Sequence, residues 1–340
     1  MLAMADAFPT ASVHTSLYEP EDTYEEFAGR SVEVSWLNRF GSVRADHRKA
    51  LPLLAPTFSR MRLPDADAVL CSSSGWSHAV RCEAPKVVYC YAPARWLYQT
   101  ERYAGRSRVQ RQLLRAVGPA LRRWDRSAAK SAARYLTLST AVQRQILETY
   151  GIYAEVVPPP LLVDPTGSRT PVAGLDAGFL LCVSRLLPYK NVDAVLRAAA
   201  LRPQQRVVVV GEGPMLETYK QAAPPNVVFL GRVTEAQLRW LYASCVANVS
   251  AGFEDYGLTP IEALAFGKPS LVLRFGGFLD TVVEGETGLY FDRPEASEIA
   301  RVIAQLDTVS FSTERLALHL EHFSPEAFRA RLQRVVAEVV

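Results

Sequence analysis

The chain is poor in cysteine, has no long apolar run and carries no strong charge of either sign. Its five cysteines (Cys71, Cys82, Cys90, Cys182, Cys245) form an odd set without a CxxC pair, which excludes a small disulfide scaffold and argues against a zinc site. Cys71, Cys90, Cys182 and Cys245 lie in or beside apolar runs, where a thiol behaves as a small buried hydrophobe. Runs such as 179–183 and 207–210 fall far short of the ~18 residues that a membrane-spanning helix needs. The N-terminus lacks the basic-then-apolar layout of a secretory signal, so the expectation is a cytoplasmic protein.

What is present is an ordinary soluble mixture, 49% hydrophobic and 21% charged, which excludes disorder and collagen-like repeats. A length of 340 residues suits two domains at roughly 150 residues each. The net charge of +3 is unevenly divided: 22 basic residues face 16 acidic ones over 1–170, and 16 face 19 over 171–340. Much of the excess sits in 101–134, where Arg102, Arg106, Arg108, Arg111, Arg115, Arg122, Arg123, Arg126, Lys130 and Arg134 meet only Glu101 and Asp125.

The second half repeats a short Val/Leu/Ile-rich run, a Gly or Pro turn and a segment with helical spacing. That alternation predicts a parallel sheet with helices on both faces. Strands are expected at 179–183, 206–210, 227–230, 246–250, 270–273 and 288–291. Helices are expected near 191–200, 214–222, 234–243, 260–266, 277–284 and 295–307. The first half gives a looser version, with strands at 12–17, 32–36, 68–71, 86–90, 135–138 and 154–157. The fold class is therefore α/β, two doubly wound Rossmann-like domains facing across a cleft. Their expected spans are 1–165, with a C-terminal helix at 324–340 returning to it, and 171–323, joined near the stiff Pro158-Pro159-Pro160.

The most informative segment runs from Ser250 to Glu262. Thr259 as N-cap, Pro260 at the first helical position and Glu262 three residues past the cap spell a capping box. The same segment sets two carboxylates, Glu254 and Glu262, around a glycine turn at a strand's carboxyl end, where carboxylates can accept from vicinal hydroxyls. In Ser184–Asn191 two cations, Arg185 and Lys190, bracket a turn, with Asn191 placed to cap the next helix; cations beside a helix N-terminus suit a diphosphate. Gly211 follows one strand, and Gly276-Gly277 permits close backbone approach to a phosphate or sugar, or simply makes a strand-to-helix turn. Asp65-Ala66-Asp67 precedes a strand and reads as turn and strand-entry residues. His78 reads as a packed or surface histidine, the alternative being that it points into the cleft.

Taken together these segments resemble the donor domain of the retaining family 4 glycosyltransferases, which have the two-domain GT-B fold. The paired-glutamate motif matches Glu254 and Glu262, the diphosphate pair matches Arg185 and Lys190, and the glycine-rich turns match Gly211, Gly231 and Gly276-Gly277. In the first half Leu51-Pro52-Leu53, Ser72-Ser73-Ser74-Gly75-Trp76, the stretch 89–98 and Val157-Pro158-Pro159-Pro160 resemble the mannosyltransferase-like subgroup that builds bacterial surface polysaccharides and glycolipids. The resemblance implies retaining transfer of a hexose, mannose from GDP-mannose first among them, without a metal or other cofactor. It assigns Glu254, Arg185 and Lys190 to catalysis, Glu262 to the ribose and the Gly231–Val233 turn to the base. Gly211, Gly257, Leu258, Thr259, Gly276 and Gly277 join the donor site.

Two features depart from that pattern. Tyr91 stands where the family has a histidine and is counted with the catalytic residues as a donor to a sugar hydroxyl or the leaving oxygen; with an ordinary pKa of about 10 a phenol cannot act as a base near pH 7. The chain also begins at what reads as the end of a helix, so the first strand and glycine-rich loop are expected to be absent, the natural product to be longer by about 20–25 residues, and the 1–8 helix and 12–17 strand to lack the neighbours that would bury them. These departures leave open a catalytically impaired nucleotide-sugar-binding paralogue, with a sugar-nucleotide epimerase as a further alternative. The basic stretch is expected to break at Gly118-Pro119 into two helices. It reads either as an arginine-rich solvated helix pair or as a contact with an anionic lipid surface at the inner face of the plasma membrane, which suits a lipid-linked or glycan acceptor; no nucleic-acid-binding pattern accompanies it.

Overall fold

The computed structural model describes residues 1–46, 50–99 and 108–340. They form two compact units, one of Met1–Pro158 with Pro325–Val340 and one of Pro159–Ser324.

The second unit is built on six parallel strands: β7 (Leu180–Val183), β8 (Val207–Val210), β9 (Val227–Gly231), β10 (Ala247–Ser250), β11 (Ser270–Leu273) and β12 (Gly288–Phe291). Their order across the sheet is β12-β11-β10-β7-β8-β9, that is 6-5-4-1-2-3 within the unit, the doubly wound dinucleotide-fold order. β8 is four consecutive valines, all buried, as a central parallel strand covered on both faces requires. One core layer joins β7, β8 and β10–β12 to the helices Val192–Leu201 and Ala296–Gln305; the other sets Phe179, Leu181 and Val208 against Leu241 and Tyr242 of the helix Glu235–Ser244. The strand order reverses between β7 and β10, so the loops leaving their carboxyl ends lie side by side at the switch point, where ligands of open α/β sheets bind.

The first unit holds a four-stranded parallel sheet, β3 (Val69–Ser73), β4 (Lys86–Cys90), β5 (Arg134–Thr137) and β6 (Glu155–Val156) in that order, and a separate parallel pair, β1 (Val13–Thr15) with β2 (Val32–Val34). The N-terminal helix Leu2–Ala7 does have a neighbour, contrary to expectation. It lies against the helix Pro325–Ala337, burying Met4 and Ala7, and the Gln333 side chain donates to the Ala7 carbonyl at 2.9 Å. The basic segment also differs from its reading. A single helix, Arg108–Ala129, runs through Gly118 and Pro119, because proline tolerates a helix wherever tertiary packing outweighs the lost hydrogen bond. Residues 100–107, with Glu101, Arg102 and Arg106, lie outside the described residues.

Candidate functional site

The loop that follows β7 is shaped by interlocking backbones. Leu186, fully buried, donates its N–H to the Glu212 carbonyl at 2.9 Å, and its own carbonyl accepts from Met215 at 3.2 Å. Gly211 has φ +125° and a Cβ there would lie 2.1 Å from the Ser184 carbonyl oxygen; one at Gly213 would lie 2.5 Å from that of Leu186. Both glycines therefore serve the close approach of two protein loops. Between these loops and the turn after β9 is a cavity of about 500 Å³ lined by Arg185, Leu187, Val210–Pro214, Gly231–Val233 and Leu238. Arg185 is exposed at this cavity and forms no ion pair among the described residues.

At the switch point itself Lys190 is ion-paired with Glu254 across the two adjacent loops, both side chains mostly covered. Two contacts hold those loops in register: the Phe253 N–H donates to the Tyr189 carbonyl at 3.1 Å, and the Asn191 side chain donates to the Ala251 carbonyl at 2.8 Å. Asn191 sits at the N-cap of the helix Val192–Leu201 with φ +50°, but its side chain makes no capping bond, so the predicted cap is a loop-to-loop tie instead. The Glu254 carbonyl accepts from the Gly277 N–H at 3.0 Å. A Cβ at Gly276 (φ +59°) would lie 2.0 Å from that carbonyl oxygen, and one at Gly277 would lie 2.2 Å from the Tyr256 Cα. The Gly-Gly turn is thus required by the chain's own 254–256 backbone.

The capping box at Thr259 does not form. The helix starts two residues earlier, at Leu258–Ala265, with Gly257 (φ +88°) as N-cap and no side-chain cap. Thr259 and Pro260 fall inside it, because a Cβ at Gly257 would collide with the Phe278 ring at 2.5 Å and only glycine can make this entry. Glu262 therefore turns away from the helix end and accepts a hydrogen bond from the buried Tyr242 hydroxyl. Burial raises the Glu262 carboxyl above the ordinary range, opposed by that hydrogen bond, and burial beside Glu262 raises the Tyr242 phenol well above its own. Tyr242 is a site neighbour that the sequence did not reveal, since twenty positions and a strand separate it from Glu262.

In the first unit Tyr91 is half-buried beyond β4. Its hydroxyl accepts from Ser72 Oγ at 3.3 Å and donates to Met4 Sδ at 3.7 Å. Burial pushes the phenol up, with the Ser72 bond opposing, so it remains a protonated donor at neutral pH. His78 is a core histidine: its Nε2 meets Asp125 Oδ1 at 2.9 Å and its Nδ1 faces Ser73 Oγ at 3.4 Å. The other Asp125 oxygen accepts from Tyr98 at 2.8 Å and Tyr150 at 3.0 Å. Asp65-Ala66-Asp67 lies exposed just before β3, as expected. Cys71, Cys90, Cys182 and Cys245 are buried, and burial pushes their thiols up to about 12.

Residues 170–314 match the model of the family "Glycosyl transferases group 1". A relative from Bacillus subtilis (strain 168), the uncharacterized glycosyltransferase YqgM, is 26% identical over 189 residues, 53% of this chain and 52% of that protein. A GDP-mannose-dependent alpha-(1-6)-phosphatidylinositol monomannoside mannosyltransferase from Mycolicibacterium smegmatis is 31% identical over 148 residues, covering 38% of this chain and 39% of the relative. The chain thus matches about half or less of the length of these curated relatives. Among solved structures, Anabaena HepE in complex with UDP superposes with a TM-score of 0.70 at 17% identity, covering 99% of this chain and 94% of the other. Arg185, Lys190, Glu254 and Glu262 accordingly all fall within the residues that match this family model, on a parallel α/β fold like that of solved glycosyltransferases.

Proposed function

We propose that the protein transfers a hexose from a nucleoside-diphosphate sugar to a lipid-linked or polysaccharide acceptor with retention of configuration, mannose from GDP-mannose being the donor that the Mycolicibacterium smegmatis relative favours. The observation that carries this reading is the switch-point cluster: Lys190 paired to Glu254, with Arg185 exposed on the neighbouring cavity. Arg185 and Lys190 bind the diphosphate. As the bond from the sugar's C1 to the phosphate oxygen breaks, its electron pair stays on that oxygen, and two cations, Lys190 held by Glu254 and Arg185 at the cavity, stabilise the charge that develops there. The acceptor hydroxyl forms the new C1–O bond on the same face and passes its proton to the departing phosphate. Glu254 orients the sugar hydroxyls through the carboxylate that Lys190 also holds, and Glu262 takes the ribose. The positive charge for this step comes from side chains, so the reading assigns it no metal.

Alanine variants of Arg185 and Lys190 test the reading by calorimetry with a nucleoside diphosphate and the matching nucleoside. Charge-assisted contacts run about 1.5–3 kcal/mol each, so diphosphate affinity is expected to fall about tenfold or more per variant while nucleoside affinity holds. Unchanged diphosphate binding in both variants sinks the assignment. A second reading, a sugar-nucleotide-binding paralogue without turnover, draws on Tyr91, whose hydroxyl is engaged by Ser72 and Met4. Nucleotide binding without any donor hydrolysis by the purified chain is the result that favours it.

A further inference from the structure

We propose that Glu212 and Arg232 read the base of the nucleotide and select guanine. The proposal rests on the donor-site reading above and extends it to a substrate class. Glu212 lies in the turn that leaves β8 and Arg232 in the turn that leaves the adjacent β9, and the Gly211 N–H ties the two turns by donating to the Gly231 carbonyl at 2.8 Å. Both side chains line the 500 Å³ cavity. They form an ion pair at 3.6 Å with exposures of 56% and 85%, too long for a hydrogen bond, so the carboxylate oxygens stay open to a ligand. The remaining side-chain walls, apart from Arg185, are apolar: Leu187, Val210, Pro214, Val233 and Leu238. Such a slot holds a planar ring by its faces without distinguishing one base from another. Recognition of the ring edge then falls to the two charged residues at the rim.

Their chemistry fits one edge. Guanine presents two adjacent donors, N1–H and N2–H2, which the two oxygens of a carboxylate accept together, beside O6, an acceptor that suits arginine. Uracil offers a single N–H flanked by two carbonyl oxygens, which a carboxylate repels. Adenine presents a bare ring nitrogen at the central position. The fold itself does not fix the base, since the solved structure with a TM-score of 0.70 holds UDP whereas the mycobacterial relative is named for GDP-mannose.

The test is calorimetry of the full chain with GDP, UDP and ADP, repeated for Glu212→Gln and Arg232→Ala. Both side chains are exposed and the Glu212 backbone bond to Leu186 is kept, so the variants should fold. GDP is expected to bind at least about tenfold tighter than UDP or ADP, the scale of charged hydrogen bonds. Glu212→Gln, which turns one acceptor into a donor facing N–H groups, should weaken GDP about ten- to hundredfold and leave UDP unchanged. Arg232→Ala should reduce the GDP preference by a smaller factor. Equal affinity of the unmodified chain for GDP and UDP, or a GDP preference that survives Glu212→Gln, overturns base selection and leaves the donor site standing. Failure of all three diphosphates to bind overturns the donor-site reading together with this one.

Discussion

Glu254 and Glu262 are carboxylates eight positions apart in one loop and helix, yet their surroundings differ in kind. Glu254 faces a cation across the switch point, whereas Glu262 is sunk against a phenol. Under the proposed mechanism Glu254→Gln lowers turnover with nucleotide affinity retained, and Glu262→Gln mainly weakens nucleotide binding; equal loss of affinity in both would refute the division. The raised carboxyl of Glu262 also has a pH signature. Its proton is held more tightly in the folded than in the unfolded chain, so the native state binds more protons in the window above the ordinary glutamate value of 4.5, and stability falls as pH rises through that window. Glu262→Gln removes this loss and keeps an acceptor for Tyr242. Urea titrations at pH 4 and 7 should show the variant gaining on the unmodified chain at the higher pH, and a parallel response of both would rule the effect out.

Among the elements, the helix Arg108–Ala129 shows how an arginine-rich sequence is fixed in place by its inward residues. Trp124 meets Trp76 edge-on at 5.9 Å, and Asp125, fully buried, gathers His78, Tyr98 and Tyr150 from three other segments. The end of this helix is held as well: buried Lys86 donates to the His78 and Val80 carbonyls at 2.6 and 3.0 Å and to Ser131 Oγ at 2.8 Å. Asp125→Ala would leave the buried His78 and Tyr150 donors without a partner and also release the half-buried Tyr98, so it is expected to destabilise the first unit by about 3–5 kcal/mol in chemical denaturation. A loss under 1 kcal/mol would show that the cluster merely fills space. Two arginines assigned to a lipid surface are occupied here: Arg122 donates to the Leu97 carbonyl at 3.2 Å and Arg126 to that of Thr149 at 3.0 Å.

For the molecule as a whole, the uneven charge is the property that bears on partners. Arg123 and Lys130 are exposed and form no ion pair among the described residues, and each basic residue near an anionic membrane contributes about 1 kcal/mol. The full chain is expected to sediment with anionic vesicles at low salt and to be released as salt rises, because the attraction decays over about 8 Å at physiological ionic strength. Substituting Gln at Arg123 and Lys130 should weaken this without unfolding the unit, which replacing Arg122 or Arg126 would not guarantee. Equal sedimentation with neutral vesicles would count against a charge-driven contact.

The sequence by itself determined the elements of the second unit, where strands were legible to within about a residue. Runs such as Val207–Val210, buried on both faces, admit only a central parallel strand, and glycine or proline punctuates each turn. It also set Arg185, Lys190, Glu254 and Glu262 apart as candidates, because charges at the carboxyl ends of apolar strands stand out against their surroundings. Tertiary structure decided what those side chains touch. Local signals placed a capping box at Thr259 and a cap at Asn191, but the Phe278 ring against Gly257 moved the helix start, and Ala251 drew the asparagine away. The pairing of Glu262 with Tyr242, of Asp125 with His78 and of Arg232 with Glu212 spans separations of 20, 47 and 20 residues. Such contacts follow from strand order and packing, and no local periodicity encodes them.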